Sequence, residues 1–198
     1  MIFDSIKSDM EVLDKDFNLI YPKYIQKVAD IHFSPVKIAK LAAFYLMDKE
    51  GTKILDIGSG AGKFCMIGSA CTEGVFVGVE QRTKLSKLAQ KLSKRYNLTN
   101  ITFINANIKD VSFKDFNAFY MFNSFYENIS VMGAIDNTID LNRELYKEYS
   151  TYVREQLDTL PVGTRLVTYY SFLTEIPDSY EVQFAIIDEK LKMWEKVR

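Results

Sequence analysis

A doubly wound α/β sheet with helices on both faces is the fold this sequence predicts, and two observations carry that expectation. Apolar runs alternate with helical stretches through five units and end in a hairpin, the pattern of a mostly parallel sheet. Within that series, residues 53–80, KILDIGSGAGKFCMIGSACTEGVFVGVE, read as strand, glycine turn, helix, strand and acid. That is the βαβ unit of nucleotide-type cofactor sites. Its glycines let the chain turn tightly and let a ligand lie against main-chain N–H groups.

The elements follow in order. Residues 1–30 are mixed, with an early helix and Pro22 interrupting; they are expected to pack against the rest of the chain or close over its site. In HFSPVKIAKLAAFYLM, Ser34 is the expected N-cap with Pro35 in the first turn. Val36, Ile38, Ala39, Leu41, Ala42, Tyr45 and Leu46 then form an amphipathic stripe. Strands are expected at 53–57 and 75–79. QRTKLSKLAQKLSKRYN follows as a helix buried along Leu85, Leu88, Ala89 and Leu92. Two more strands are expected at 101–104 and 118–122, a long helix from 138 to about 160, and a turn at Pro161-Val162-Gly163. A fifth strand covers 165–170. Extended segments at 180–187 and 190–197 flank the charges Asp188-Glu189-Lys190, which suit a hairpin turn. With no repeats or linkers, the reading is one domain over 1–198 with a helical preface at about 1–50.

Composition narrows the function classes. The 198 residues suffice for one core. A formal net charge of −1 provides no global field to recruit nucleic acid or anionic membrane. Cys65 and Cys71 lie in one predicted helix without facing each other and read as reduced thiols. No apolar run approaches the roughly 20 residues of a membrane helix. The expectation is a cytoplasmic protein without membrane partners. One histidine and two cysteines make no zinc set, so no metal is expected. A nucleophilic triad cannot be assembled either.

Glycine spacing separates the cofactor readings. A dinucleotide fingerprint needs G-x-G-x-x-G, whereas these glycines run G-x-G-x-G. A Walker loop fails because Ile57 and Phe64 stand where Gly and Ser/Thr are required. The pattern D-x-G-S-G-x-G, with a carboxylate closing the next strand, resembles the first two motifs of the class I S-adenosylmethionine (SAM)-dependent methyltransferases. The resemblance implies a seventh strand antiparallel to its neighbours. It also implies that Asp56 lies near the methionine end of SAM, that Gly58, Gly60 and Gly62 pass beneath it, and that Glu80 holds the ribose. Ser59 and Gln81, next to these residues, are counted with the cofactor site. After the third strand, Ala106-Asn107 stands where the family often has Gly-Asp. Asn107 would accept from the adenine amino group, with the Ile108 N–H directed to the ring.

The fourth strand delivers FNSFYEN, residues 122–128, to the end of the sheet where ligands sit. It looks like the Asn-Pro-Pro-Tyr motif of enzymes that methylate exocyclic or amide nitrogens, although Ser124 and Phe125 replace both prolines. It looks equally like the Asn-Asn-Phe segment of Rossmann-type histone-lysine methyltransferases. Either likeness makes Asn123 and Tyr126 the catalytic candidates, and Phe125 and Tyr126 the acceptor contacts. Residues 127–137 are expected as a mobile flap over the pocket. The series Arg82, Lys84, Lys87, Lys91, Lys94 and Arg95 reads as the solvated face of a helix. His32 reads as a structural hydrogen-bonder placed where it could fold over the cofactor.

The function expected is therefore SAM-dependent methyl transfer to a nitrogen acceptor. A protein amine is slightly favoured, because the chain is not basic and the proline motif is degraded. Nucleic-acid base or small-molecule acceptors remain open. The rival from another class is a module that binds SAM or its demethylated product without transfer.

Overall fold

The computed structural model describes residues 2–130 and 134–198. Its first segment holds helices α1 (Ile2–Lys7), α2 (Asp14–Phe17), α3 (Lys23–His32) and α4 (Val36–Leu46), with a 3-10 turn at Asn18–Ile20. The alternating part runs β1 (Lys53–Ile57), α5 (Lys63–Cys71), β2 (Val75–Val79), α6 (Thr83–Arg95) and β3 (Ile101–Ile104). It continues through β4 (Ala118–Phe122), α7 (Arg143–Asp158) and β5 (Arg165–Tyr169) to a hairpin of β6 (Tyr180–Ile186) and β7 (Leu191–Lys196). Between β3 and β4 the chain makes only short 3-10 turns, Ile108–Asp110 and Phe113–Asp115.

These strands form one seven-stranded sheet in the order β3-β2-β1-β4-β5-β7-β6. Strands β1 to β5 are parallel, and β7 is antiparallel to both β5 and β6, as the resemblance implies. The order reverses between β1 and β4, so a crevice opens beyond their carboxyl ends.

Period-two alternation sorts the strand residues into two apolar layers. Ile54, Phe76, Tyr120 and Val167 pack with α4, α5 and α6. Leu55, Val77, Phe119 and Leu166 pack with Val153 and Leu157 of α7 on the other face. The parallel strands are thus buried on both sides, which explains their near-continuous apolar runs.

Local chemistry changes three boundaries. Ser34 does not cap α4; its hydroxyl meets the Tyr120 hydroxyl at 2.6 Å. Pro35 occupies the N-cap position, and Asp14 takes over the capping role by accepting the Val36 N–H at 3.0 Å. Helix α7 starts at Arg143, later than expected. Asp136 draws both the N–H and hydroxyl of Thr138 into a local turn, and Asn142 caps the helix through the Leu145 N–H. Such side-chain bonds compete with helix formation. Strand β5 ends at Tyr169, because Tyr170 has a φ of 53°.

The N-terminal helices are tied to the sheet through Lys63. Its side chain is 2% exposed, and its ammonium lies 2.6 Å from Asp14 Oδ1 and donates to Asn18 Oδ1 at 3.0 Å. Burial lowers its pKa, and Asp14 opposes that shift. The same Asp14 carboxylate therefore caps α4 and anchors the first turn of α5.

Gly62 sets how closely α5 approaches the sheet. It has a φ of 80°, and an added Cβ would lie 2.4 Å from the Phe103 ring and 3.0 Å from the Ala89 methyl. Left-handed strain and overpacking would then act together. Gly62→Ala is expected to destabilise the protein by at least about 2 kcal/mol, read as a lower urea midpoint; an unchanged midpoint would contradict this packing role.

Candidate active site

The crevice at the β1/β4 switch point forms a cleft beyond the carboxyl ends of the strands, where ligands of open α/β sheets sit. Gly58, Gly60, Glu80, Gln81, Asn107, Ile108, Asn123 and Phe125, all expected site residues, line it. Phe33, Arg82, Glu127 and Tyr149 add to that wall without having been expected there, and His32, expected where it could fold over the cofactor, also lines it.

Glu80 organises the floor. It is 6% exposed, and its Oε2 accepts the Gly60 N–H at 3.0 Å while Oε1 accepts the Arg82 N–H at 2.7 Å. The tip of β2 is thus clamped to the glycine turn and to the start of α6. Each carboxylate oxygen keeps a further lone-pair direction. Burial raises the Glu80 pKa, while the two backbone bonds and the Arg82 charge pull it back.

The glycine turn shows what the spacing could not. Gly60, at φ 54°, lies against a ring from the N-terminal segment: an added Cβ would stand 2.9 Å from Phe33. Ser124 closes over Gly58 and donates its hydroxyl to the Ile57 carbonyl. Ser59 Oγ is buried without a hydrogen-bond partner. An orphaned hydroxyl beside a glycine cradle fits a ligand supplying the missing acceptor or donor.

Several expected residues are placed differently from one another. Gly62 faces Phe103 and Ala89, so its position is explained by packing and not by the cleft. Asp56 and Ser59 line a smaller adjoining cavity with Ser34, Lys63 and Tyr120. The Asn107 oxygen already accepts the Lys109 N–H at 3.1 Å, and its amide NH₂ donates to Tyr149 Oη at 2.9 Å. One acceptor direction on that oxygen remains open. Phe125 is buried against Tyr149 on the cofactor side, not in the neighbouring groove. Tyr126 lies outside the cleft, 39% exposed and stacked on Phe172 with ring centroids 5.7 Å apart. The expected flap, 127–137, includes residues 131–133, which lie outside the described residues.

Arg82 corrects the reading of the basic helix. It precedes α6 and is buried, with Nη2 2.7 Å from Glu127 Oε2 and Nε 3.1 Å from Asp136 Oδ1. Glu127 Oε1 accepts the Ile135 N–H at 2.6 Å and lies 3.8 Å from His32 Nδ1. A polar wall thus joins α3, the start of α6 and the segments after β4. The signal available in sequence was an acid, Glu127, four residues beyond the Asn123 position, but its partners come from distant segments.

Beyond this wall lie two grooves. One is walled by Phe122, Tyr126, Tyr169 and Tyr170. The other carries Tyr126, Tyr170, Phe172, Lys190 and Lys192. Asn123, with a φ of 44°, lines the cleft and both grooves. Asparagine tolerates this left-handed conformation better than most residues. Among the described residues, no cluster of three His, Cys, Asp or Glu could hold a metal, and no helix is long and apolar enough to cross a membrane.

Sheet order, glycine cradle and terminal carboxylate together define the Rossmann-like fold of class I SAM-dependent methyltransferases. A family model described as "Methyltransferase domain" matches residues 48–169, and the chain belongs to that family. No curated protein matches the sequence. Among solved structures it is similar to TrmN from Thermus thermophilus, at 16% identity and a TM-score of 0.62. That match covers 88% of this chain and 52% of the other, so this chain spans about half the length of TrmN. It is also similar to a SAM-dependent O-methyltransferase from Thermotoga maritima (18% identity, TM-score 0.58, covering 89% of this chain and 72% of that one). A third is an RNA methyltransferase from Salinibacter ruber, solved with S-adenosyl-L-homocysteine (17% identity, TM-score 0.52, covering 89% and 91%). At these identities the likeness is one of fold.

Asp56 generates a pH prediction. Burial pushes its carboxyl up to about 7, the Cys65 thiol at 3.3 Å opposes the shift, and Glu80 adds to it. The folded protein therefore holds a proton that the unfolded chain releases near pH 4. Stability should fall as pH rises from about 4 to about 7 and then level off. Asp56→Asn should flatten that fall by an amount on the order of a few kcal/mol at most. Urea midpoints at pH 5 and pH 8 measure it, and equal losses in both proteins would contradict the assignment.

Proposed function

We propose that this chain transfers a methyl group from SAM to a nitrogen acceptor, with a protein amine slightly favoured over a nucleic-acid base. Bound SAM supplies an electrophilic methyl on a sulfonium. The observation that carries the proposal is the placement of Asn123, which borders the cofactor cleft and both outer grooves. Its side-chain oxygen can accept from an acceptor N–H and orient the nitrogen lone pair toward the cleft. Holding the two reactants in line while excluding water is the main source of rate in such a displacement.

Glu80, the Gly58–Gly60 turn, Gln81, Asn107 and Ile108 would hold the cofactor. Asp56 and Ser59 would face the small cavity beside it. Tyr126 would act on acceptor binding and not on the cofactor, because it stacks with Phe172 outside the cleft. One observation favours a second reading: the groove bearing Tyr126, Tyr170, Phe172, Lys190 and Lys192 pairs aromatic rings with cations, which suits a base and its phosphate.

Methyl-labelled SAM added to fractionated cell extract, followed by nuclease or protease, separates the acceptor classes. The reading predicts protease-sensitive label. Nuclease-sensitive label would favour the base acceptor, and no label despite bound SAM would favour a binding module. Asn123→Ala should lower kcat/KM by at least roughly tenfold, about 1.4 kcal/mol, with SAM affinity changed less. Tyr126→Ala should mainly raise the acceptor KM. Full transfer by Asn123→Ala would place the pocket elsewhere.

A further inference from the structure

Helix α6 carries a charge pattern that the fold does not require. Lys84, Lys87, Lys91, Lys94 and Arg95 are all exposed, and their spacing sets them along one face of the helix. At a rise of about 1.5 Å per residue, Lys84 and Lys94 stand about 15 Å apart along the axis. From residue 81 to residue 109 the chain has no aspartate or glutamate. The formal net charge of −1 therefore averages this cationic face with an acidic remainder.

The pattern weakens the helix that bears it. Like charges three and four residues apart repel. Lys84 also opposes the helix dipole, because no acid occupies the first turn to offset it. Among the described residues, no carboxylate forms an ion pair with any of the five cations. Arg95 lies over the Tyr96 ring at 5.6 Å, and a guanidinium on a ring still presents its donors at the edge.

The side chains around the stripe narrow the partner. A helix that lies on a membrane inserts apolar residues beside its cations, and a protein interface needs an apolar or aromatic core. Helix α6 instead turns Leu85, Ala89 and Leu92 into the protein core. No large apolar side chain from residue 76 to residue 125 is exposed. A nucleic-acid backbone is the partner that cations alone can hold, since phosphate contacts require no apolar core. At about 3.4 Å per phosphate along one strand of a duplex, the stripe spans about four phosphates.

We infer that the exposed face of α6 docks the phosphate backbone of a nucleic acid. The inference goes beyond the transferase reading and leaves the methyl acceptor open. Helix α6 packs on β3 at one end of the sheet, whereas both outer grooves lie beyond β4 and β5. A backbone held on α6 therefore does not fill the grooves. Its first turn follows directly on Arg82 of the cleft wall, so the bound backbone is anchored beside the cofactor cleft.

Fluorescence anisotropy with labelled oligonucleotides, single-stranded RNA and duplex DNA, tests this without cofactor or acceptor. At low salt at least one probe should bind the wild type, and the tighter one identifies the source of the phosphates. Affinity should fall with salt at a log–log slope of roughly 3.5 to 4.5, the value for five neutralised phosphates. Replacing Lys87, Lys91 and Lys94 together by glutamine keeps helix propensity. It should weaken binding at least about tenfold and lower the slope by about 2. The matching arginine triple keeps the charges and should bind as the wild type does. Glutamine at Lys15, Lys23 and Lys27, exposed cations of the N-terminal helices, should change affinity less than about twofold. No binding of either probe, equal losses in the two glutamine triples, or lost binding in the arginine triple would overturn the inference. Displacement of the probe by poly-glutamate as effective as by unlabelled oligonucleotide would overturn it in favour of an acidic protein. The same result with phosphatidylserine vesicles would overturn it in favour of a membrane. SAM binding and methyl transfer are read separately, so failure of the transferase reading and failure of this inference are distinguishable.

Discussion

Two backbone amides converge on the carboxylate of Glu80, and the geometry of the site depends on that convergence. One N–H comes from Gly60 in the turn after β1 and the other from Arg82 at the start of α6. An ionised carboxylate at 6% exposure is strongly disfavoured unless it is hydrogen-bonded. The two amides provide that compensation and, in doing so, join the tips of β1 and β2 through one side chain. The glycine turn can adopt its left-handed conformations only because Gly58 and Gly60 carry no Cβ. Residues 58–62 and Glu80 thus form one device: the turn brings the amide and the strand brings the acceptor.

From this clamp the polar wall extends outward. Arg82, fixed through its backbone to Glu80, directs its guanidinium to Glu127 and Asp136. Glu127 in turn reaches His32 and the Ile135 amide. On the far side, buried Lys63 and Asp14 lock the N-terminal helices to α5. Those helices bring Phe33 over Gly60 and His32 to the rim of the cleft. The N-terminal segment therefore contributes walls of the site as well as apolar area to the sheet.

What the sequence made legible was local. The glycine spacing, the acid closing β2 and the strand limits of β1 to β4 could be read because each depends on neighbours within one βαβ unit. That Asn123 lines the cleft could be read because its position at the end of a strand carries meaning without any partner. Arg82 was misread, since a basic residue heading an amphipathic helix ordinarily faces water and its two carboxylate partners lie after β4. The pairing of His32 with Glu127 was invisible for the same reason: it exists only once α3 and β4 share a boundary. Ser34 and the start of α7 were misplaced because Asp14 and Asp136 form competing side-chain hydrogen bonds that propensity does not reveal. Gly62 carries the same letter as Gly60, yet packing explains the one and the clamp the other.

The central proposal is that Glu80, which holds the glycine turn through the Gly60 amide, also holds the cofactor. Titration calorimetry of wild type and Glu80→Gln with SAM tests it most directly, because glutamine keeps one acceptor oxygen and loses the second and the charge. The account predicts that SAM binds the wild type and that Glu80→Gln, still folded by circular dichroism, binds at least about tenfold more weakly, as expected when hydrogen bonds to a charged group are lost. Equal affinity in the two proteins would contradict it.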